Sequence, residues 1–247
     1  MKVFKNLPYT DSENKQQTLN IYLPDKKSFP VFVFFHGGGL ESESKDQTLL
    51  EETLTKYGIA LVSVDYRMYP GASYPDFIKD AAAAVAWTKA NIHKYGTCEK
   101  LCVGGSSAGA YLSMMLCFDY RYLAPYKITP DEIDSFIHDA GQTTVHFNVL
   151  RERGIDTKRI VVDEAAPLYH ISAGKKYSPM FFVVSDNDMP ARIQETELIL
   201  AVLKNNGHDM SKVEYRIMHG NHVSYRTEFD EIGDNVRAKL YRDFILK

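Results

Sequence analysis

Between Lys100 and Leu112 the chain reads KLCVGGSSAGAYL, and few architectures accommodate that run. An apolar, β-prone triplet (Leu101, Cys102, Val103) meets Gly104-Gly105. After two serines the apolar spacing turns helical at Ala108, Ala110, Leu112, Met115 and Leu116. Gly105-Ser106-Ser107-Ala108-Gly109 satisfies G-x-S-x-G, the pattern of a serine held on a strained strand-to-helix turn. A glycine two residues to either side of the serine lets backbones approach where a side chain would collide. Ser107 is therefore the candidate nucleophile, since Ser106 would need glycine at 108, where alanine stands. The same turn aims the start of the next helix, and the N–H of Ala108, at negative charge forming beside Ser107.

The rest of the chain supplies strands and helices in alternation. Leu19, Ile21 and Leu23 alternate with other residues and predict an antiparallel edge strand, whereas residues 1–16 are polar and poorly patterned. The continuous apolar runs Pro30–Phe35, Ile59–Val64 and Pro179–Val184 predict strands buried on both faces. Ile133–Ile137 reads as another strand, and Val213, Tyr215 and Ile217 as a last one. Helices are expected at 45–57, from Pro75 through Ile92, at 193–203 and at 227–246. Such alternation predicts an α/β fold with a mostly parallel sheet and helices on both faces. With no repeat or linker among the 247 residues, we expect a single domain over 1–247, with 119–172 forming a partial cap over the C-terminal edge of the sheet.

A net charge of −3 offers nothing to attract nucleic acid or an anionic membrane. Cys98, Cys102 and Cys117 form neither a CxxC nor a metal-ligand spacing, and read as reduced thiols. The first residues lack an apolar signal segment, and no apolar run reaches membrane-spanning length, so the expectation is a cytoplasmic protein.

Four strand ends carry polar groups suited to acyl transfer. His36-Gly37-Gly38-Gly39 follows the first central strand, Ser107 the elbow strand, Ser185-Asp186-Asn187-Asp188 the Pro179–Val184 strand, and His219-Gly220-Asn221-His222 the last. Consecutive glycines allow backbone N–H groups to converge on an oxyanion, and Gly38, Gly39 and Ala108 are the expected donors. The order Ser, Asp, His along the chain is that of the α/β-hydrolases. HGGG at 36–39, DYRMYP at 65–70, YPDFIKD at 74–80, GSSAG at 105–109 and DEAAPL at 163–168 together cover most of the chain. On these motifs it resembles α/β-hydrolase carboxylesterases, near the hormone-sensitive-lipase-like and small carbohydrate- or feruloyl-esterase-like branches. The resemblance implies Ser107 as nucleophile, Asp188 as acid in preference to Asp186, and His222 as base in preference to His219. It departs from the family at Ser106, Ala110 and Val223, where Asp, glycine and a small residue are common.

What the resemblance implies is hydrolysis of small or medium carboxylic esters, acetylated or feruloylated sugars among them, without metal or cofactor. Amide cleavage is the alternative within the same machinery, and a ligand-binding role the alternative outside it. Gln142, His146 and Phe147, in the expected cap, are the candidate substrate contacts. Asp65, Tyr66 and Arg67 read as a loop-fixing network rather than a substrate site.

Overall fold

The computed structural model describes residues 1–247. Its strands are β1 (Lys2–Pro8), β2 (Thr18–Leu23), β3 (Ser28–Phe35), β4 (Ala60–Val64), β5 (Thr97–Ser106), β6 (Ser135–Asp139), β7 (Met180–Asn187) and β8 (Val213–Asn221). They form one sheet in the order β1-β2-β4-β3-β5-β6-β7-β8. The pairs β1–β2 and β2–β4 are antiparallel, and every pair from β4–β3 onward is parallel. The helices are α1 (Glu51–Lys56), α2 (Asp76–Asn91), α3 (Ala108–Phe118), α4 (Phe147–Glu152), α5 (Arg192–Asn205) and α6 (Val236–Ile245).

The apolar runs are continuous because both faces of the sheet are covered. In β3, Phe29, Val31, Val33 and Phe35 enter the core shared with α2 and α3, while Phe32 and Phe34 enter the core shared with α1 and α6. The parallel strands thus all present their C-terminal ends to one rim.

Several expectations need correction. The Leu19–Leu23 segment is not an edge strand, because β1 pairs along its outer side. Five of the seven residues of β1 are exposed and the other two, Phe4 and Leu7, only half-buried, so it lacks the alternation that marks a strand in sequence. Strand β6 lies inside the sheet, between β5 and β7, and divides the expected 119–172 cap in two. The first part packs sideways, with the Tyr122 hydroxyl meeting that of Tyr74 at 3.3 Å; only the second part, which carries α4, reaches the rim. The helix expected at 45–57 begins at Glu51, because the Lys45 N–H and ammonium are both tied to the Asp65 carboxylate at 2.6 Å. The last helix begins at Val236 rather than 227, capped by the Asn235 side chain, which accepts from the Ala238 N–H. Residues 224–227 make a separate turn.

Two histidines stand inside this core. His138 lies among Phe118, Phe136 and Phe182, and His146 between Tyr111 and Phe147. Burial pushes both down to about 3. Each is neutral in the fold and regains the ordinary value of 6.5 on unfolding. A base whose folded pKa is depressed contributes stability that is complete above its unfolded pKa and drains away as pH falls. The loss is up to about 1.4 kcal/mol per histidine per pH unit. The urea midpoint should therefore be lower at pH 5 than at pH 7, and His138→Phe should make that drop shallower. An unchanged drop in the variant would remove His138 from the account.

Candidate active site

Ser107 sits between β5 and α3 with φ 55° and ψ −115°, a conformation non-glycine residues avoid. The flanking glycines make it attainable. A Cβ added at Gly105 would lie 2.3 Å from the Gly109 carbonyl carbon, and one added at Gly109 would lie 2.0 Å from the Phe35 carbonyl oxygen. The turn is fixed from beneath, where the Ser107 N–H donates to the Asp139 carbonyl at 2.7 Å.

Three side chains from three strand ends meet here. His222 Nε2 is 2.8 Å from Ser107 Oγ, and His222 Nδ1 is 2.5 Å from Asp188 Oδ1. Asp188 also accepts from the N–H groups of Ser185 at 3.0 Å and Met189 at 2.7 Å. Burial alone would push its carboxyl up, but these hydrogen bonds outweigh burial and hold it below the usual carboxylate range. Asp186 and His219 form a separate pair, 2.8 Å apart, with the His219 side chain 97% exposed. Neither touches Ser107.

The 36–39 loop is held by its carbonyls. The Tyr66 hydroxyl donates to the carbonyls of His36 at 2.9 Å and Gly37 at 3.2 Å, its ring stacked on the His36 imidazole. The Gly38 carbonyl accepts from the N–H groups of Glu41 and Ser42, both at 3.0 Å. The Gly39 carbonyl accepts from the Asn148 side-chain amide. In a planar trans peptide the N–H points away from the C=O. The N–H groups of Gly38 and Gly39 are therefore turned away from the anchors on Gly37 and Gly38, and neither has an acceptor within the chain. Gly38 cannot readily be replaced, since an added Cβ would stand 2.1 Å from the Ser42 carbonyl at a φ of +83°. Ala108 opens α3, where N–H groups lack intrahelical partners.

Of the three candidate substrate contacts, only Phe147 lines the cleft at Ser107. Gln142 is buried and builds its own turn, donating to Thr144 Oγ1 at 3.2 Å and the Val145 carbonyl at 3.0 Å. His146 caps α4, its Nδ1 accepting from the Asn148 N–H at 3.2 Å. Neither lines the cleft: the Gln142 amide is spent on its own turn and His146 Nδ1 on the cap of α4. The cleft, about 530 Å³, is lined by 18 residues of which four are hydrophobic. Sequence reasoning missed Glu43, Arg226 and Arg237 in its wall, and Asp139 beneath it. Asp139 is fully buried, and its carboxylate accepts from the hydroxyls of Tyr225 and Tyr241. Burial raises its pKa, with Arg237 the main opposing influence. Tyr66 and Arg67 had a signal in the DYR run: Arg67 forks onto Asp80, with both contacts at 2.8 Å. No group of three or more His, Cys, Asp and Glu side chains is arranged to hold a metal ion. No helix is long and apolar enough to cross a membrane.

Comparison with known proteins agrees with this architecture. The chain is similar to tuliposide A-converting enzyme 2, a chloroplastic protein of Tulipa gesneriana. The two are 25% identical over 200 residues, covering 69% of this chain and 52% of that protein. It is 34% identical to esterase LipI of Mycobacterium tuberculosis over 97 residues, covering 38% of this chain and 30% of the relative. The chain thus spans about half the length, or less, of these curated relatives. Among solved structures, a truncated carbohydrate esterase from gut microbiota superposes with a TM-score of 0.78 at 18% identity, covering 100% of this chain and 95% of that one. Esterase 2 of Thermogutta terrifontis gives 0.77 at 22% identity, covering 99% and 93%. These likenesses show the α/β-hydrolase fold. The BD-FAE family model matches residues 19–151, from β2 through the Gly-rich loop and the serine turn to α4; with more than half of its length inside that match, the chain belongs to the BD-FAE family.

Proposed function

We propose that the chain is a serine hydrolase of small carboxylic esters, working through Ser107, His222 and Asp188. The observation that carries the reading is the continuous hydrogen-bonded line from Ser107 Oγ through His222 to Asp188. In this reading His222 Nε2 takes the Ser107 proton as Oγ attacks the ester carbonyl, and Asp188 fixes the tautomer and stabilises the imidazolium. The oxyanion is received by the N–H groups of Gly38, Gly39 and Ala108, each such donor being worth about 3–4 kcal/mol of barrier. The C–O bond to the alcohol breaks as His222 returns the proton to the leaving oxygen. Water, deprotonated by the same histidine, then releases the acid and restores the serine. The charged and hydroxyl side chains in the cleft wall (Glu43, Thr48, Arg226, Thr227, Arg237) support short-chain or sugar esters over long acyl chains. A carbohydrate esterase among the structural neighbours supports the same class. Cytoplasmic residence is supported by three unpaired cysteines, two of them buried.

The test is covalent labelling by a fluorophosphonate probe, together with hydrolysis of p-nitrophenyl esters from acetate to decanoate and of an acetylated xylo-oligosaccharide. Labelling with a maximum at short chains is the expected result. A folded protein that takes no label would sink the reading.

A further inference from the structure

The cleft at Ser107 continues past the serine to the first turn of α6, where Phe34, Thr48 and Arg237 line it. Arg237 is 3% exposed. A guanidinium is seldom buried so deeply without a carboxylate beside it. Arg226, on the same cleft, has one: its Nη1 lies 2.6 Å from Glu43. Arg237 has none. Its Nη2 donates to the Thr48 carbonyl, and its Nε is buried without an acceptor. Its flat group lies over the rings of Phe34, at 5.3 Å, and Tyr241, at 6.0 Å. The Asp139 carboxylate reaches it only at longer range, with both oxygens already taken by tyrosine hydroxyls. Nη1 is neither bonded within the chain nor sealed from solvent, and the cleft is the space Arg237 lines.

The charges of the wall therefore do not cancel locally. Glu43 is matched by Arg226, which leaves the Arg237 cation with only the Asp139 carboxylate at longer range, among the polar side chains of Gln47, Thr48 and Thr227. We propose that Arg237 anchors a carboxylate carried by the substrate, so that this cleft selects anionic esters. The proposal rests on the serine-hydrolase reading above and narrows its substrate class. A carboxylate at Nη1 would receive a charge-assisted hydrogen bond and bring an acceptor to a guanidinium that has only one. A neutral isostere of the same size would leave the buried donor unpaired, which is the stronger source of discrimination.

Two size-matched pairs of esters test this in the wild-type protein. p-Nitrophenyl hydrogen adipate against p-nitrophenyl methyl adipate places the charge on the acyl side. 3-Acetoxybenzoate against its methyl ester places it on the alcohol side. One pair should show a preference in kcat/KM for the anion of roughly tenfold or more, the scale of one charged hydrogen bond. The preference should vanish in Arg237→Gln and survive in part in Arg237→Lys. Fluorophosphonate labelling run alongside separates the two readings. A labelled, active enzyme that prefers the anion in neither pair overturns the carboxylate subsite and leaves the hydrolase reading intact. Calorimetric titration of both 3-acetoxybenzoates and both adipates into Ser107→Ala gives a readout free of turnover. Tighter binding of either anion supports the subsite even if no ester is cleaved. Equal binding within both pairs rejects it. None of these wild-type or Ser107→Ala measurements depends on an Arg237 variant folding.

Discussion

Ser107→Ala should lower kcat on p-nitrophenyl acetate by about 10⁴- to 10⁶-fold and abolish fluorophosphonate labelling, while the protein stays folded. The size follows from what is lost. The Oγ is the only nucleophile within reach of His222, at 2.8 Å, and alanine keeps the Cβ and the backbone around which the turn is built. What survives would be the oxyanion donors and substrate binding, which in such sites still give roughly 10³-fold over water. Ser106 is the control: it also lines the cleft but makes no contact with His222, so Ser106→Ala should retain labelling. If Ser107→Ala kept more than a few per cent of the wild-type rate, the chemistry would belong to another group.

The second large effect is expected at the acid. Asp188→Asn should cost about 10³- to 10⁴-fold in kcat, with little change in KM, because an amide in that place favours the wrong imidazole tautomer. Asp186→Asn should cost less than about twofold, since its partner His219 is exposed and does not touch Ser107. The pair is decisive because Asp186 lies in the last residues of β7 and Asp188 just after it, two residues apart, and both meet a histidine from β8 or the loop after it. Asp188 is held below the usual carboxylate range, so its ionised state should persist as pH falls through that range, while the stability it contributes is complete above the range and drains away between it and the lower folded value. Equal losses in the two asparagine variants would mean that proximity in sequence had been mistaken for a role.

The sheet centre is legible in the sequence because its strands are buried on both faces and show as unbroken apolar runs. β1 is not, because a solvated strand paired mainly through its backbone needs no apolar pattern, and its seven residues look like a polar tail. The positions of Ser107, Asp188 and His222 are legible for a related reason: each lies in a short loop just beyond a recognisable run, where the fold concentrates polar groups. Gln142 and His146 lie away from the cleft lining, because a polar residue in a buried loop is as easily spent on capping and turn geometry as on a ligand. Arg237 carries no local signal at all. In sequence it is one more charge on a surface-like helix, and only the packing of α6 across β3 places its guanidinium over Phe34 and at the wall of the cleft.

Asp139 gives the molecule a property that belongs to neither its core nor its site alone. Its carbonyl receives the Ser107 N–H, while its carboxylate receives the hydroxyl of Tyr225, three residues beyond His222, and that of Tyr241 in α6. Ser107, the loop after His222 and α6 are thus knotted at one point inside the sheet. A histidine loop fastened this way has no inexpensive route to local melting. On heating, the protein should not pass through a folded but inactive stage: residual activity and the far-ultraviolet signal should fall together, as a single transition.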